Sequence, residues 1–248
     1  MQDYVPLKRV KDRREMLIFS AIIFIFIILI CVIIFVSIWL NKKSKKEFLE
    51  TSMFFVCANV SKNKKELENM QDNVKDFGGA GKIYQKDEFY YLIINSYFDK
   101  ESAELVVNNN KKVYENIQIL ELKTKTISNK TRKKFKRQEI NYKFLKKMNK
   151  NLSETFDLQM KFLSGEVTDN DLCSKLLTLK FDNDDLIDEI KAAEDNDYGD
   201  LVLNYANLEA MYFASFFDNF FESEKKSSVI CEFVVSLALL KVDFFNNL

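Results

Sequence analysis

Two stretches near the middle of the chain share one pattern of apolar and polar positions. Residues 54–59 read FFVCAN and residues 90–95 read YYLIIN, which is typical of strands. Each is followed by a polar turn and then by side chains at helical spacing. These are Leu67, Met70, Val74 and Phe77 in the first half, and Ala103, Val106, Asn110 and Val113 in the second. Each half ends in another apolar run, residues 80–84 and 117–122, so strand–helix–strand is predicted twice.

The two halves align at a constant offset of 36 positions, with identities at Asn59/Asn95, Lys64/Lys100, Glu68/Glu104 and Asn73/Asn109. A repeated unit of this size predicts a βαββαβ fold of the ferredoxin or RNP type, within an α+β chain. Two helices would pack on one face of a small antiparallel sheet. The other face is expected to be open to solvent or to a ligand.

Residues 16–40 contain no charged side chain and are long enough to cross a lipid bilayer as a helix. Residues 16–40 are therefore predicted to be an uncleaved signal anchor, and residues 1–15 a cytoplasmic tail that precedes it. The expected localisation is the cell membrane, with a single pass, a cytoplasmic N-terminus and an extracytoplasmic C-terminal region.

Residues 139–248 show apolar stripes at helical spacing and predict an all-α bundle of four or five helices. One stripe follows Leu145, Met148, Leu152, Phe156 and Leu163, and Gly165 stands where that helix should end. Thr168 and Asp171 form a capping-box pattern. Asp182 is predicted to cap a further helix.

The net charge of zero, from 37 basic and 37 acidic residues, conceals a basic segment followed by an acidic one. Residues 124–138 are rich in Lys and Arg and are predicted to be a linker between a sheet domain, residues 51–123, and the bundle. This linker is either a tether to an anionic polymer or a solvated connection. Nucleic-acid binding is not expected, because Phe135 is its only aromatic residue.

The chain contains no histidine, which excludes Ser-His and Cys-His nucleophile pairs and His-ligated zinc sites. Its four cysteines show no CxxC spacing, and acidic residues are plentiful without any two standing out as a glycosidase pair. The sequence therefore predicts a non-catalytic protein with no cofactor, metal or catalytic residue.

Residues 54–123, and most closely the run YYLIINSYFDKESAELV, resemble the SPOR domain, the sporulation-related repeat. The resemblance implies a βαββαβ sheet that binds the glycan strands of bacterial peptidoglycan, preferably strands stripped of their peptides. It also implies a role in the cell envelope, in cell division or sporulation.

Strand alternation predicts which side chains would bind such a ligand. If Val56, Ala58, Leu92 and Ile94 point towards the two helices, the opposite face carries the candidate glycan site. That site comprises Phe55, Cys57, Asn59, Tyr91, Ile93 and Asn95. Alternatively, the C-terminal helices or a protein partner could cover this face.

The predicted function is thus a membrane-anchored bacterial envelope protein that binds peptidoglycan glycan strands. Its partners would be those strands, the lipid bilayer through residues 16–40, and an envelope protein that contacts the helical domain. The alternative is a membrane adaptor whose sheet and bundle bind proteins instead of glycan.

Overall fold

The computed structural model describes residues 51–193 and 197–248, which form an α+β fold with one four-stranded sheet. The strands run antiparallel to their neighbours in the order β2-β3-β1-β4. They are β1 (Ser52–Ser61), β2 (Lys82–Lys86), β3 (Phe89–Tyr97) and β4 (Gln118–Lys123). The helices are α1 (Lys64–Glu68), α2 (Gln71–Asp76), α3 (Lys100–Asn110), α4 (Asn129–Arg137), α5 (Glu139–Leu163), α6 (Asp169–Ala192), α7 (Gly199–Glu222) and α8 (Lys226–Asn247).

The strand–helix–strand unit is used twice, as the sequence repeat predicts, although the first helix is divided into α1 and α2. Matched residues make matched contacts. The Lys64–Glu68 pair on α1 and the Lys100–Glu104 pair on α3 each join their charged groups at 3.0 Å. Asn63 and Asp99, at the same offset, cap α1 and α3 through a side-chain oxygen. The repeat is therefore structural.

The matched asparagines also share a local role. Asn59 Oδ1 accepts a hydrogen bond from the Val60 amide at 2.8 Å, and Asn95 Oδ1 accepts one from the Ser96 amide at 2.9 Å. The β1–β3 pairing shifts register beside both asparagines, where a backbone amide can lose its partner on the next strand. Each asparagine supplies an acceptor for the amide that follows it.

The two faces of the sheet carry the side chains that strand alternation predicts. Val56, Ala58 and Leu92 lie on the face covered by α1, α2 and α3, in a core with Leu67, Val74 and Ala103. Phe55, Cys57 and Ile93 lie on the opposite face and are fully buried. The expectation that this second face is open is wrong.

Helix α8 covers the second face, because it packs directly on β1 and β3. One apolar core runs from Phe55 and Ile93 through α8 to the helices behind it. An exposed face of this composition would cost about 25 cal/mol for each Å² of apolar surface left in water. Buried α8 side chains in this core include Ile230, Cys231, Val234, Val235, Leu237, Ala238 and Val242.

Two of the predicted helix boundaries are present and a third is not. Thr168 and Asp171 form the predicted capping box at the start of α6. Gly165 follows the end of α5 with φ +78°, a conformation that glycine adopts without a Cβ clash. Asp182 does not cap a helix, because α6 continues through it and its carboxylate is paired with Lys147 instead.

Residues 124–138, predicted as a basic linker, contain α4. Phe135 is fully buried, and its ring lies 6.1 Å from that of Phe244 at the end of α8. The Lys125 amide also donates to Asn246 Oδ1 at 3.0 Å. The segment differs from a solvated connection because one apolar side chain fixes its helix to the bundle.

The membrane prediction requires correction. No helix within residues 51–193 and 197–248 is long and apolar enough to cross a bilayer. The predicted span, residues 16–40, and the preceding tail, residues 1–15, lie outside the described residues. The fold class with a transmembrane helix and the single-pass localisation are thus corrected for the described residues, and the lipid partner stays a prediction.

Replacing Phe55 with Ala should lower the free energy of unfolding by about 3–5 kcal/mol, because it empties the space between the sheet and α8. Phe89→Ala is the matched control, since Phe89 lies in the same sheet but is 40% exposed. Urea unfolding followed by circular dichroism and by tyrosine fluorescence should give one coincident transition for each protein. Equal losses for the two variants would contradict the buried interface.

Candidate functional site

The predicted glycan site on the sheet is not accessible. Phe55, Cys57 and Ile93 have no exposed surface, and Tyr91 is half-buried against the same core. Burial raises the pKa of the Cys57 thiol to about 12. These four side chains support the α8 interface and cannot stack on a sugar ring, so the predicted exposure is wrong for them.

The two predicted amide ligands form internal hydrogen bonds. Asn59 is 8% exposed, and its Nδ2 donates to Met70 Sδ at 3.3 Å. Asn95 is 5% exposed, and its Oδ1 accepts from Gln159 Nε2 on α5 at 3.0 Å. Both amides are therefore occupied within the fold.

A cleft lies at the edge of the sheet, and we call it the edge cleft. It has a volume of about 510 Å³, within the range usual for small-ligand sites. Residues from α2, β2, α7, α8 and the α7–α8 turn form its walls. They are Lys75, Lys82, Tyr212, Ser215, Phe216, Asn219, Glu222, Ser223, Lys225, Ser228, Val229, Glu232, Phe233 and Ser236.

Lys82 on edge strand β2 enters the cleft and is held by two contacts. Its Nζ donates to Ser236 Oγ at 2.8 Å and lies 5.5 Å from the centre of the Tyr212 ring. Burial lowers the pKa of Lys82, and the nearby Glu232 carboxylate opposes part of that change. The ammonium group is thus fixed beside an aromatic face.

A second lysine completes the charged wall. Lys75 Nζ on α2 lies 3.2 Å from the Glu232 carboxylate on α8, and Lys225 pairs with Asp76. These pairs are exposed to solvent, so screening keeps their contribution to stability small. Their main effect is to place both signs of charge around one opening.

The remaining wall combines aromatic and neutral polar groups. Phe216 and Phe233 are almost fully buried and form an apolar floor, whereas Tyr212 is half-buried. Ser215 and Asn219 are exposed, and Asn219 Nδ2 donates to the Ser215 carbonyl at 2.7 Å. The cleft can therefore offer one aromatic face, hydroxyl and amide groups, and fixed charges to a single ligand.

Sequence reasoning missed this cleft, because its residues come from segments far apart in the chain. The helical spacing of Leu201, Tyr205, Leu208 and Tyr212 predicts that Tyr212 belongs to an apolar core stripe. The available signal was the spacing of Tyr212, Ser215 and Asn219, which places polar side chains on the same face of α7 as an aromatic ring. That pattern alone does not distinguish a cleft from an ordinary solvated face.

The described residues contain no group of three His, Cys, Asp or Glu side chains that could hold a metal ion. They do contain a carboxylate in the interior of the bundle. Glu209 on α7 is 1% exposed, and its Oε1 accepts from Asn151 Nδ2 on α5 at 2.8 Å. Burial raises the pKa of Glu209 to about 7, and the Asn151 hydrogen bond opposes part of that increase.

This pKa predicts that the protein loses stability as the pH rises. Folded Glu209 holds a proton below about pH 7, whereas unfolded Glu209 releases it near its ordinary pKa of 4.5. The contribution of Glu209 to the free energy of unfolding is fully present below pH 4.5 and is lost as the pH rises through 7. The total loss is roughly 3 kcal/mol. Urea unfolding from about pH 5 to about pH 8, in buffers without metal salts, measures this loss.

Glu209→Gln is the control for this prediction, because it keeps the shape of the side chain but cannot titrate. Its stability should change much less over the same interval. Parallel curves for the two proteins would show that another group causes the dependence, such as Asp243, whose carboxyl pKa is also raised by burial.

Comparison with known proteins gives one similarity. No family model matches the chain, and no curated protein matches it. Among solved structures, the chain is similar to the solution structure of the peptidoglycan binding domain of the B. subtilis cell wall lytic enzyme CwlC. The match has 17% sequence identity and a TM-score of 0.26, and covers 29% of this chain and 90% of that domain. A TM-score this low does not establish a shared fold, so the SPOR resemblance stays a prediction.

Proposed function

We propose that this protein is a non-catalytic glycan-binding protein and that the edge cleft is its binding site. The observation that carries the proposal is the position of Tyr212, whose half-buried ring faces a cleft lined by serines, Asn219 and lysines. The ligand class comes from the sequence resemblance, and the cleft replaces the sheet face as the binding surface.

The wall chemistry suits a sugar. A pyranose ring presents C–H groups that can pack on an aromatic plane, and its hydroxyl groups need donors and acceptors. Tyr212 supplies such a plane, while Ser215 and Asn219 supply exposed polar groups within two turns of the same helix. Water-exposed polar walls also explain why affinity should be modest, because only part of the ligand is removed from solvent.

Lys82 in the cleft favours an anionic group on the glycan, whereas Lys75 and Lys225 are each paired with a carboxylate. Lys75, Lys82 and Lys225 all line the opening. Peptidoglycan strands stripped of their peptides expose lactyl carboxylates, which would complement the Lys82 ammonium group. The SPOR resemblance alone supports a place for the protein in cell division or sporulation.

The non-catalytic part of the proposal rests on the state of the acidic groups. Glycoside hydrolysis ordinarily requires one protonated and one ionised carboxyl group on either side of the scissile bond. Glu232 is paired with Lys75, and Glu222 lies at the exposed rim. The carboxyl groups that line the cleft are thus one ion-paired group and one solvent-exposed group, and this arrangement favours a binding role.

Tyr212→Ala should weaken binding to purified sacculi by about tenfold. The substitution removes an aromatic contact of about 1 kcal/mol and admits water to the space that the ring and the sugar would share. Co-sedimentation of the full-length chain with intact and peptide-stripped sacculi measures this change. Met211→Ala is the matched control, since Met211 precedes Tyr212 on α7, is 64% exposed and does not line the cleft.

Stripped sacculi should bind more tightly than intact ones. Equal binding by Tyr212→Ala and the unmodified protein would place the site elsewhere. Failure of the unmodified protein to bind either preparation would contradict glycan binding itself.

A protein partner for the helical region is the second candidate. Leu177 and Phe181 lie one turn apart on α6 and are 39% and 57% exposed, so together they form an apolar strip on the surface. In-cell photocrosslinking from position 181 tests it. One discrete adduct that Leu177→Ser removes would support this candidate, and a crosslinking pattern that Leu177→Ser leaves unchanged would contradict it.

A further inference from the structure

Six buried side-chain oxygen atoms have no hydrogen-bond partner among the described residues, and four of them lie on neighbouring turns of α5, α6 and α7. These four are Asn151 Oδ1, Thr155 Oγ1, Asn183 Oδ1 and Glu209 Oε2. All four side chains are at most 1% exposed. A buried polar atom without a partner costs about 1–3 kcal/mol, and a charged one costs more. Four such atoms in one region therefore require an explanation.

The four side chains converge from three helices. Asn151 on α5 contacts Glu209 on α7 directly, through the 2.8 Å hydrogen bond from Nδ2 to Oε1. Thr155 lies one turn further along the buried face of α5. Asn183 on α6 donates through Nδ2 to the carbonyl of Ala206 at 3.2 Å, and Ala206 lies one turn before Glu209 on α7. Asn151 thus contacts the carboxylate directly, and Thr155 and Asn183 lie within one turn of that contact along the three helices.

Hydrogen bonds orient the two amide groups of this cluster. Both amide groups direct Nδ2 into the hydrogen bonds just described, which leaves their carbonyl oxygens as acceptors. Lys147, one turn before Asn151 on α5, is paired with Asp182. The cluster is therefore rich in acceptors and short of positive charge.

We propose that Glu209, Asn151, Asn183 and Thr155 bind a monovalent cation, Na⁺, inside the bundle. Carboxylate, amide carbonyl and hydroxyl oxygens are hard ligands, which suit alkali and alkaline-earth cations better than transition metals. A site in the low-dielectric interior is most stable when its net charge is zero. One carboxylate balances one monovalent ion, whereas Ca²⁺ would leave an uncompensated charge.

Sodium should stabilise the folded protein beyond any general effect of salt. Above the dissociation constant, each tenfold increase in Na⁺ should raise the folding equilibrium constant about tenfold. Urea unfolding of the full-length chain at about pH 8 measures this, with NaCl exchanged for choline chloride at constant ionic strength. Equal stability in the two salts would overturn the proposal.

Two substitutions of the same chemical kind locate the effect. Glu209→Gln should abolish the dependence on Na⁺, because it removes the only charged ligand. Glu222→Gln, on the same helix but exposed, should retain the dependence. An unchanged response in Glu209→Gln, or a loss in Glu222→Gln, would show that Na⁺ acts elsewhere.

Thr155→Val gives a test that does not alter charge. It removes one proposed ligand at nearly constant volume. The plot of the folding equilibrium constant against Na⁺ concentration should therefore move to about tenfold higher Na⁺, while its slope stays the same. An unmoved curve would remove Thr155 from the site. Stabilisation by CaCl₂ at much lower concentrations than NaCl would overturn the monovalent assignment.

Failure of this proposal would leave the proposed function intact, because the cluster lies outside the edge cleft. Sacculus binding by Glu209→Gln should match that of the unmodified protein when both are folded. The stability and co-sedimentation measurements thus report on different sites.

Discussion

The burial of one sheet face under α8 is the interaction on which the rest of the structure depends. Phe55, Cys57 and Ile93 form a surface that would be unfavourable in water, and α8 is apolar around most of its circumference. A helix of that kind must be buried on several sides. It is placed between the sheet and α5–α7, so the sheet and bundle share one core. Neither part buries its apolar surface without the other.

The same interaction explains where a ligand can bind. A small sheet with helices on one face ordinarily offers its other face as a surface. Here α8 occupies that surface, and the edge strand β2 meets α7 and α8 along an open border. Lys82 then projects from β2 between helical side chains, because it lies at the edge and not in the middle of the sheet. The edge cleft is a direct consequence of covering the face.

The sequence predicts helices, strands and caps well, because residues close together in the chain determine them. The repeat, the strand alternation and the Thr168–Asp171 capping box depend on residues within a few positions of one another, and the structure shows all three. The cover by α8 and the edge cleft depend on contacts between positions such as Lys82 and Ser236. Periodicity identified the apolar sheet face, but it cannot name the element that covers it. Strand alternation therefore assigns Phe55, Cys57 and Ile93 to the correct face of the sheet but predicts the wrong exposure for them.

Apolar contacts bring α8 to the sheet, but they do not by themselves fix one register, because they lack direction. A buried amide supplies that direction. Gln159 Nε2 on α5 donates at 3.0 Å both to Asn95 Oδ1 on β3 and to Cys231 Sγ on α8. A shift of α8 by one turn would break the bond to Cys231 and leave the amide only its bond to Asn95, so one register of α8 gives the amide both partners. Asn95 is thus needed for the sheet bulge and for docking the bundle, which accounts for its burial better than a role in ligand binding does.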